Sequence, residues 1–129
     1  DCHSQFLTAG FSARYDGFSN NGLDDEEHLQ PGLQTVTGNP AHRGMFKVPS
    51  LRNIALTAPY MHDGRLLTLD AVLDHYTSQV QNTPNLDALL NQGSTPGIAM
   101  TAAEKAKIIS FLNTLNDRSF LFDKRFSEP

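Results

Sequence analysis

Two stretches of the chain repeat apolar residues at helical spacing. Over residues 68–79, Leu69, Val72, Leu73 and Tyr76 occupy positions 0, 3, 4 and 7 of one face. Thr68 suits the N-cap, and Asp70 suits the positive end of the helix dipole. The wheel places Tyr76 on the inward stripe and rotates His75 about 100° off it. The last helix is predicted over residues 102–115, opened by a Thr101-Ala-Ala-Glu104 capping box. Its stripe is Ile108, Phe111, Leu112 and Leu115, with Lys105 and Lys107 off it. A short helix over residues 86–91 and a turn over 93–97 fill the interval.

Ahead of residue 68 the periodicity fades. The stretch holds an acidic run, Asp24-Asp25-Glu26-Glu27, and the loop markers Gly32, Gly38 and Asn39-Pro40. The acidic run reads as a solvated loop. Residues 36–37 and 46–48 are too short to argue a strand from. So long a structure-poor stretch has two explanations: partial disorder, or wrapping around something that is not protein.

Composition narrows the class. At 129 residues the chain suits one domain, and an apolar fraction of 39% with 19% charged residues supports a core. The net charge of −4, with no lysine or arginine cluster, argues against a nucleic-acid partner. No apolar run approaches the roughly 20 residues of a membrane span. One cysteine excludes an intrachain disulfide framework and a cysteine-only zinc cluster.

That cysteine sits in Asp1-Cys2-His3, where there is neither an initiating methionine nor a signal peptide. Cys2-His3 looks like the tail of C-x-x-C-H, the c-type haem attachment sequence, whose first cysteine would fall ahead of Asp1. The dipeptide alone is weak. The middle of the chain strengthens it: Phe46-Lys47-Val48-Pro49-Ser50-Leu51-Arg52-Asn53-Ile54-Ala55-Leu56-Thr57-Ala58-Pro59-Tyr60-Met61-His62-Asp63-Gly64. With Phe18-Ser19-Asn20-Asn21-Gly22-Leu23 and the two helices, this block resembles the C-terminal haem domain of bacterial di-haem cytochrome c peroxidases and methylamine-utilisation di-haem oxidases.

The resemblance implies a mainly α, cytochrome c-like domain with long irregular loops, spanning residues 1–129 as the C-terminal half of a di-haem enzyme. It makes Cys2 an attachment residue for haem c and His3 the proximal iron ligand. By residue type the distal candidates are Met61, His62, His75 and Tyr76. The family's distal ligand lies 14 residues beyond the histidine matching His62, and that position is Tyr76. Read without the resemblance, Tyr76 is a core aromatic whose hydroxyl finds a neighbour. Peroxidases typically carry methionine there and the oxidases tyrosine, which tilts the reading towards an oxidase-like relative. Lys47 and Arg52 are candidates for the haem propionates, with surface charge as the plain alternative. Backbone oxygens of Thr57 and Pro59 match a calcium site between the family's two haem domains, incomplete without the other domain.

The implied function is an electron-transfer haem domain of a peroxidase-type oxidoreductase, with no catalytic residue of its own and no activity alone. Its implied partners are an N-terminal haem domain that binds hydrogen peroxide, and an electron-donor protein or protein substrate. The implied location is the periplasm. A chain lacking the first cysteine cannot form both thioethers, so whether it carries haem stays open. A stand-alone mono-haem cytochrome and a haem-free interaction domain are the competing classes.

Overall fold

A computed structural model describes residues 7–9, 12–14 and 17–126. Two small antiparallel ladders come first. Strands β1 (Leu7–Ala9) and β2 (Ser12–Arg14) pair with each other, and β3 (Phe18–Ser19) pairs with β4 (Phe46–Lys47) in the register Phe18↔Lys47 and Ser19↔Phe46. The chain between β3 and β4 holds one helical turn, α1 (Gln34–Thr37), and a 3-10 turn, Pro40–His42, capped by the Asn39 side chain. A second 3-10 turn, Ile54–Leu56, lies inside the long block that follows β4.

The two predicted helices form, with their predicted starts. Thr68 caps α2 (Leu69–Asp74) by accepting from the Ala71 N–H at 3.1 Å. The helix then widens into a π-turn, His75–Gln79. Helix α3 (Ala102–Thr114) opens on the complete Thr101/Glu104 capping box, with Thr101 N–H on the Glu104 carboxylate at 2.8 Å. It packs against α2 and against the Ile54–Leu56 turn. A last helical turn, α4 (Arg118–Leu121), is capped by Asp117, and a 3-10 turn, Lys124–Phe126, follows it.

Residues 86–91 form turns, where a short helix is predicted from sequence. Asp87 explains the difference: its N–H donates to Asn20 O at 3.0 Å, and its carboxylate accepts from Leu89 N–H at 2.9 Å and Ser19 Oγ at 2.5 Å. Side chains that satisfy the backbone locally compete with the helix ladder. Phe111 also departs from expectation, being 57% exposed. Helix α3 turns its Leu112 side inward, and Lys105 reaches Asp74 at 2.5 Å along the α2 contact.

The buried apolar side chains among the described residues are Leu29, Val48, Leu73, Val80, Leu90 and Leu112. Beside them lies a polar knot around Asn20, which is 1% exposed. Asn20 Nδ2 donates to Thr83 Oγ1 at 3.0 Å and Asn85 Oδ1 at 2.9 Å, and its Oδ1 accepts from Gly22 N–H at 2.9 Å. Gly22 adopts a φ of 64°, and a β-carbon there would lie 2.7 Å from Gln81 O. The knot thereby ties the 18–23 segment to residues 80–87.

Candidate functional site

The block from Phe46 to Gly64 is a loop folded back on itself. Val48 N–H donates to Gly17 O at 2.7 Å, which extends the β3–β4 ladder. Asn53 sits at a φ of 61°, the left-handed region that asparagine tolerates better than most side chains. Its N–H reaches Leu115 O at 3.1 Å and its Oδ1 accepts from Asp117 N–H at 2.5 Å, so it fastens the block to the end of α3. Tyr60 Oη donates to Ile54 O at 2.9 Å, and Tyr60 N–H donates to Leu66 O at 2.7 Å. The Ala58–Pro59 bond is cis, and Met61 has a φ of 72°. The ends of the block then meet: the Phe46 and His62 rings stack with centroids 3.7 Å apart and planes 11° from parallel.

The π-turn corrects the helical-wheel reading of the next pair. His75 is the buried residue, 2% exposed, while Tyr76 is half-buried beside it. A π-turn closes on i→i+5 hydrogen bonds, so residues within it no longer follow the 3.6-residue stripe. His75 Nε2 lies 3.0 Å from Asn21 O. A carbonyl only accepts, so Nε2 carries the hydrogen. Burial pushes the His75 pKa below the usual histidine value, against the opposing pull of the Asn21 bond, and the neutral ring is favoured. The Tyr76 ring meets His75 edge-on, with centroids 5.2 Å apart. Tyr76 O accepts from Ile98 N–H at 2.8 Å.

An ion cluster flanks the pair. Arg65 Nη1 bonds Asp24 Oδ1 at 2.7 Å and Arg65 Nε bonds Asp63 Oδ2 at 2.6 Å. Burial works to raise the Asp63 pKa, but the Arg65 bonds outweigh it and hold the carboxyl below its usual range.

The other expected site residues scatter around this centre. Cys2 and His3 lie outside the described residues. Lys47 is exposed on β4, opposite Phe18. Arg52 pairs with the Asp117 carboxylate, and its guanidinium lies 5.4 Å from the Phe120 ring centroid. Thr57 and Pro59 sit on an exposed turn, where Thr57 Oγ1 donates to Ile54 O at 3.1 Å. Their carbonyl oxygens face no backbone donor among the described residues. Met61 Sδ receives Asn21 Nδ2 at 3.3 Å. Asn21 therefore joins the block to the π-turn, a role that sequence reading missed; its one signal was the polar pair before a glycine in Asn20-Asn21-Gly22. No group of three or more histidine, cysteine or carboxylate side chains suited to a metal ion occurs among the described residues. Nor, among them, is any helix long and apolar enough to cross a membrane.

The block and the π-turn are flanked by exposed apolar side chains, which suit a large apolar group. Leu56 within the block is 55% exposed, Leu67 just beyond it 72%, and Ile98, bonded to the Tyr76 carbonyl, 45%. Apolar surface of this kind calls for a cover, and a tyrosine phenol is an oxygen donor of a type that haem iron takes.

No known protein-family profile matches the chain. Curated relatives do. The chain is 36% identical over 114 residues to the methylamine utilization protein MauG of Methylorubrum extorquens, covering 88% of this chain and 30% of that protein. It is 39% identical over 84 residues to the cytochrome c551 peroxidase of Nitrosomonas europaea, covering 65% of this chain and 21% of the relative. Among solved structures, a MauG-like protein associated with microbial copper homeostasis superposes with a TM-score of 0.69 at 42% identity, over 88% of this chain and 38% of the other. The chain thus spans under a third of the length of the curated relatives it matches.

Proposed function

Because this chain is homologous over most of its length to MauG and the di-haem cytochrome c peroxidases, we propose that it is the electron-transfer haem domain of a peroxidase-type oxidoreductase. The supporting observation is the likeness in both sequence and fold to a MauG-like protein across nearly all of the chain.

In this reading the domain has a cytochrome c-like architecture and forms the C-terminal half of a periplasmic di-haem protein. Haem c supplies one-electron redox chemistry when bound. Cys2 would anchor it, and His3 and Tyr76 would offer the iron a ring nitrogen and a phenol oxygen. The exposed side chains of Leu56, Leu67 and Ile98 would help shield the group from water. Lys47 and Arg52 would pair with the propionates, Arg52 sharing its charge with Asp117. The turn carbonyls of Thr57 and Pro59 are suited to calcium, a hard cation that prefers oxygen ligands. The remainder of the protein would reduce peroxide, and this domain would supply it with electrons from a donor protein.

The experiment is spectroscopic. The intact protein, matured with haem c, is expected to show a low-spin ferric spectrum that changes in Tyr76→Phe. An unchanged spectrum and reduction potential would remove Tyr76 from the iron. Absence of a Soret band in the intact, matured protein would remove haem altogether.

A further inference from the structure

His75 is the one titratable side chain among the buried polar residues described, yet nothing in the haem reading uses it. Its environment is specific. Nε2 donates to Asn21 O at 3.0 Å, and the same asparagine sends Nδ2 to Met61 Sδ at 3.3 Å. Asn21 is held in turn by the neighbouring knot, where Asn20 Oδ1 takes Gly22 N–H at 2.9 Å and Gly22 O takes Gln81 N–H at 2.8 Å. The imidazole is thus pinned to a rigid segment rather than to a mobile loop.

The next residue is Tyr76. Its backbone is fixed by Ile98, which donates to Tyr76 O at 2.8 Å, and by Gly97, where a β-carbon would lie 2.9 Å from the same oxygen. That contact fixes the carbonyl and leaves the ring to be placed by its neighbours. One of them is the His75 ring, edge-on at 66° between planes. A π-turn is a rare, wide i→i+5 turn that occurs mostly as a single-turn bulge within an α-helix, frequently at functional sites. In the arrangement observed, the His75–Asn21 bond ties this turn to the 18–23 segment.

We propose that His75 is a positioning residue for Tyr76: by donating from Nε2 to the Asn21 carbonyl it locks the π-turn and fixes the direction of the Tyr76 phenol. The inference rests on the reading of Tyr76 as a haem ligand. It predicts a single, uniform ligand geometry when the bond is present and a mixture when it is absent. Glutamine is the discriminating substitute, because its terminal amide nitrogen reaches about as far as Nε2. Leucine fills the space without a donor, and asparagine has the donor but not the reach.

The test uses the intact haem-loaded protein and compares His75→Leu, His75→Asn, His75→Gln and Tyr76→Phe by ferric electron paramagnetic resonance, reduction potential, haem content and melting temperature. Tyr76→Phe is expected to abolish the native signal. His75→Leu is expected to split or broaden it at full haem content, with a shifted potential, and His75→Gln to restore one native signal. If His75→Leu does not accumulate, His75→Asn takes its place with the same expectation. Native signal and potential in the leucine or asparagine variant, with only melting lowered, overturn the proposal and leave Tyr76 ligation standing. A glutamine variant that matches leucine also overturns it. An unaltered Tyr76→Phe spectrum overturns the ligand reading and this proposal together.

Discussion

The knot around Asn20 and the rim formed by α3 and α4 differ in how completely the chain covers them. In the knot, Asn20 is 1% exposed, and both donors and the acceptor of its side chain have partners between 2.9 and 3.0 Å away. Leu90 beside it is fully buried. At the rim, Phe111, Phe120 and Phe122 are 57%, 46% and 73% exposed, and the Asn116 Oδ1 atom is buried with no partner among the described residues. The knot requires nothing beyond what the chain supplies, whereas the rim presents aromatic surface that its own fold leaves open. Complete polar satisfaction and open aromatic surface thus lie in separate regions: the Asn21–His75 bond ties the first to the π-turn after α2, and the Asn53–Leu115 bond ties the second to the Phe46–Gly64 block.

The sharpest way to break that contrast is through the knot. Gly22→Ala places a β-carbon 2.7 Å from Gln81 O at a φ of 64°. Left-handed strain together with a backbone clash is expected to cost about 3–4 kcal/mol, read as a lower denaturant midpoint. A loss under about 1 kcal/mol would mean that the 18–23 segment yields readily. Asn20→Ala comes next. It strands the Gly22 N–H and removes the donors to Thr83 and Asn85, for an expected loss of about 2–3 kcal/mol by the same measurement.

The rim contributes less, and through charge. Asp117 holds its carboxyl well below the ordinary value because the Ser119 hydroxyl, the Arg52 guanidinium and the Phe120 N–H all favour the ionised form, with burial opposing them. A depressed folded pKa means that the unfolded chain takes the proton first as the pH falls. The stabilisation is therefore complete above the ordinary carboxyl value of 3.8 and declines as the pH drops below it. Asp117→Asn keeps a cap acceptor but cannot titrate, so its melting temperature should fall less steeply from about pH 5 to about pH 2. Equal slopes in both proteins would show that the pair is screened by solvent.

Much of this arrangement is legible in the sequence, and the exceptions have physical causes. The starts of α2 and α3 are written in Thr68 and in Thr101-x-x-Glu104, because caps are local. The block from Phe46 to Gly64 reads as a unit before its shape is known. Its left-handed positions at Asn53 and Met61 are invisible, since neither residue requires that conformation; at Asn53 the hydrogen bonds that accompany it come from Leu115 and Asp117, far along the chain. The inward choice of His75 over Tyr76 fails on the wheel for a related reason: a wheel assumes 3.6 residues per turn, and the π-turn departs from it where Asn21 offers a carbonyl. Asn20 is equally silent, because its partners at Thr83 and Asn85 lie more than sixty residues away.

The smallest effect is the most informative about the rim. Phe111→Ser alters a side chain that is 57% exposed on the outer side of α3, and in the fold described its cost should stay within about 0.5 kcal/mol. Leu112→Ala, one residue along and buried, is the internal reference and should cost about 2–4 kcal/mol. The comparison is best made in the intact, haem-loaded protein, since any cover over Phe111 would come from there. If Phe111→Ser remains near neutral while Leu112→Ala is costly, the exposed phenylalanine belongs to a solvent face. If the two losses converge, the aromatic rim is covered in the intact protein, and the open region is an interface that the chain alone leaves half built.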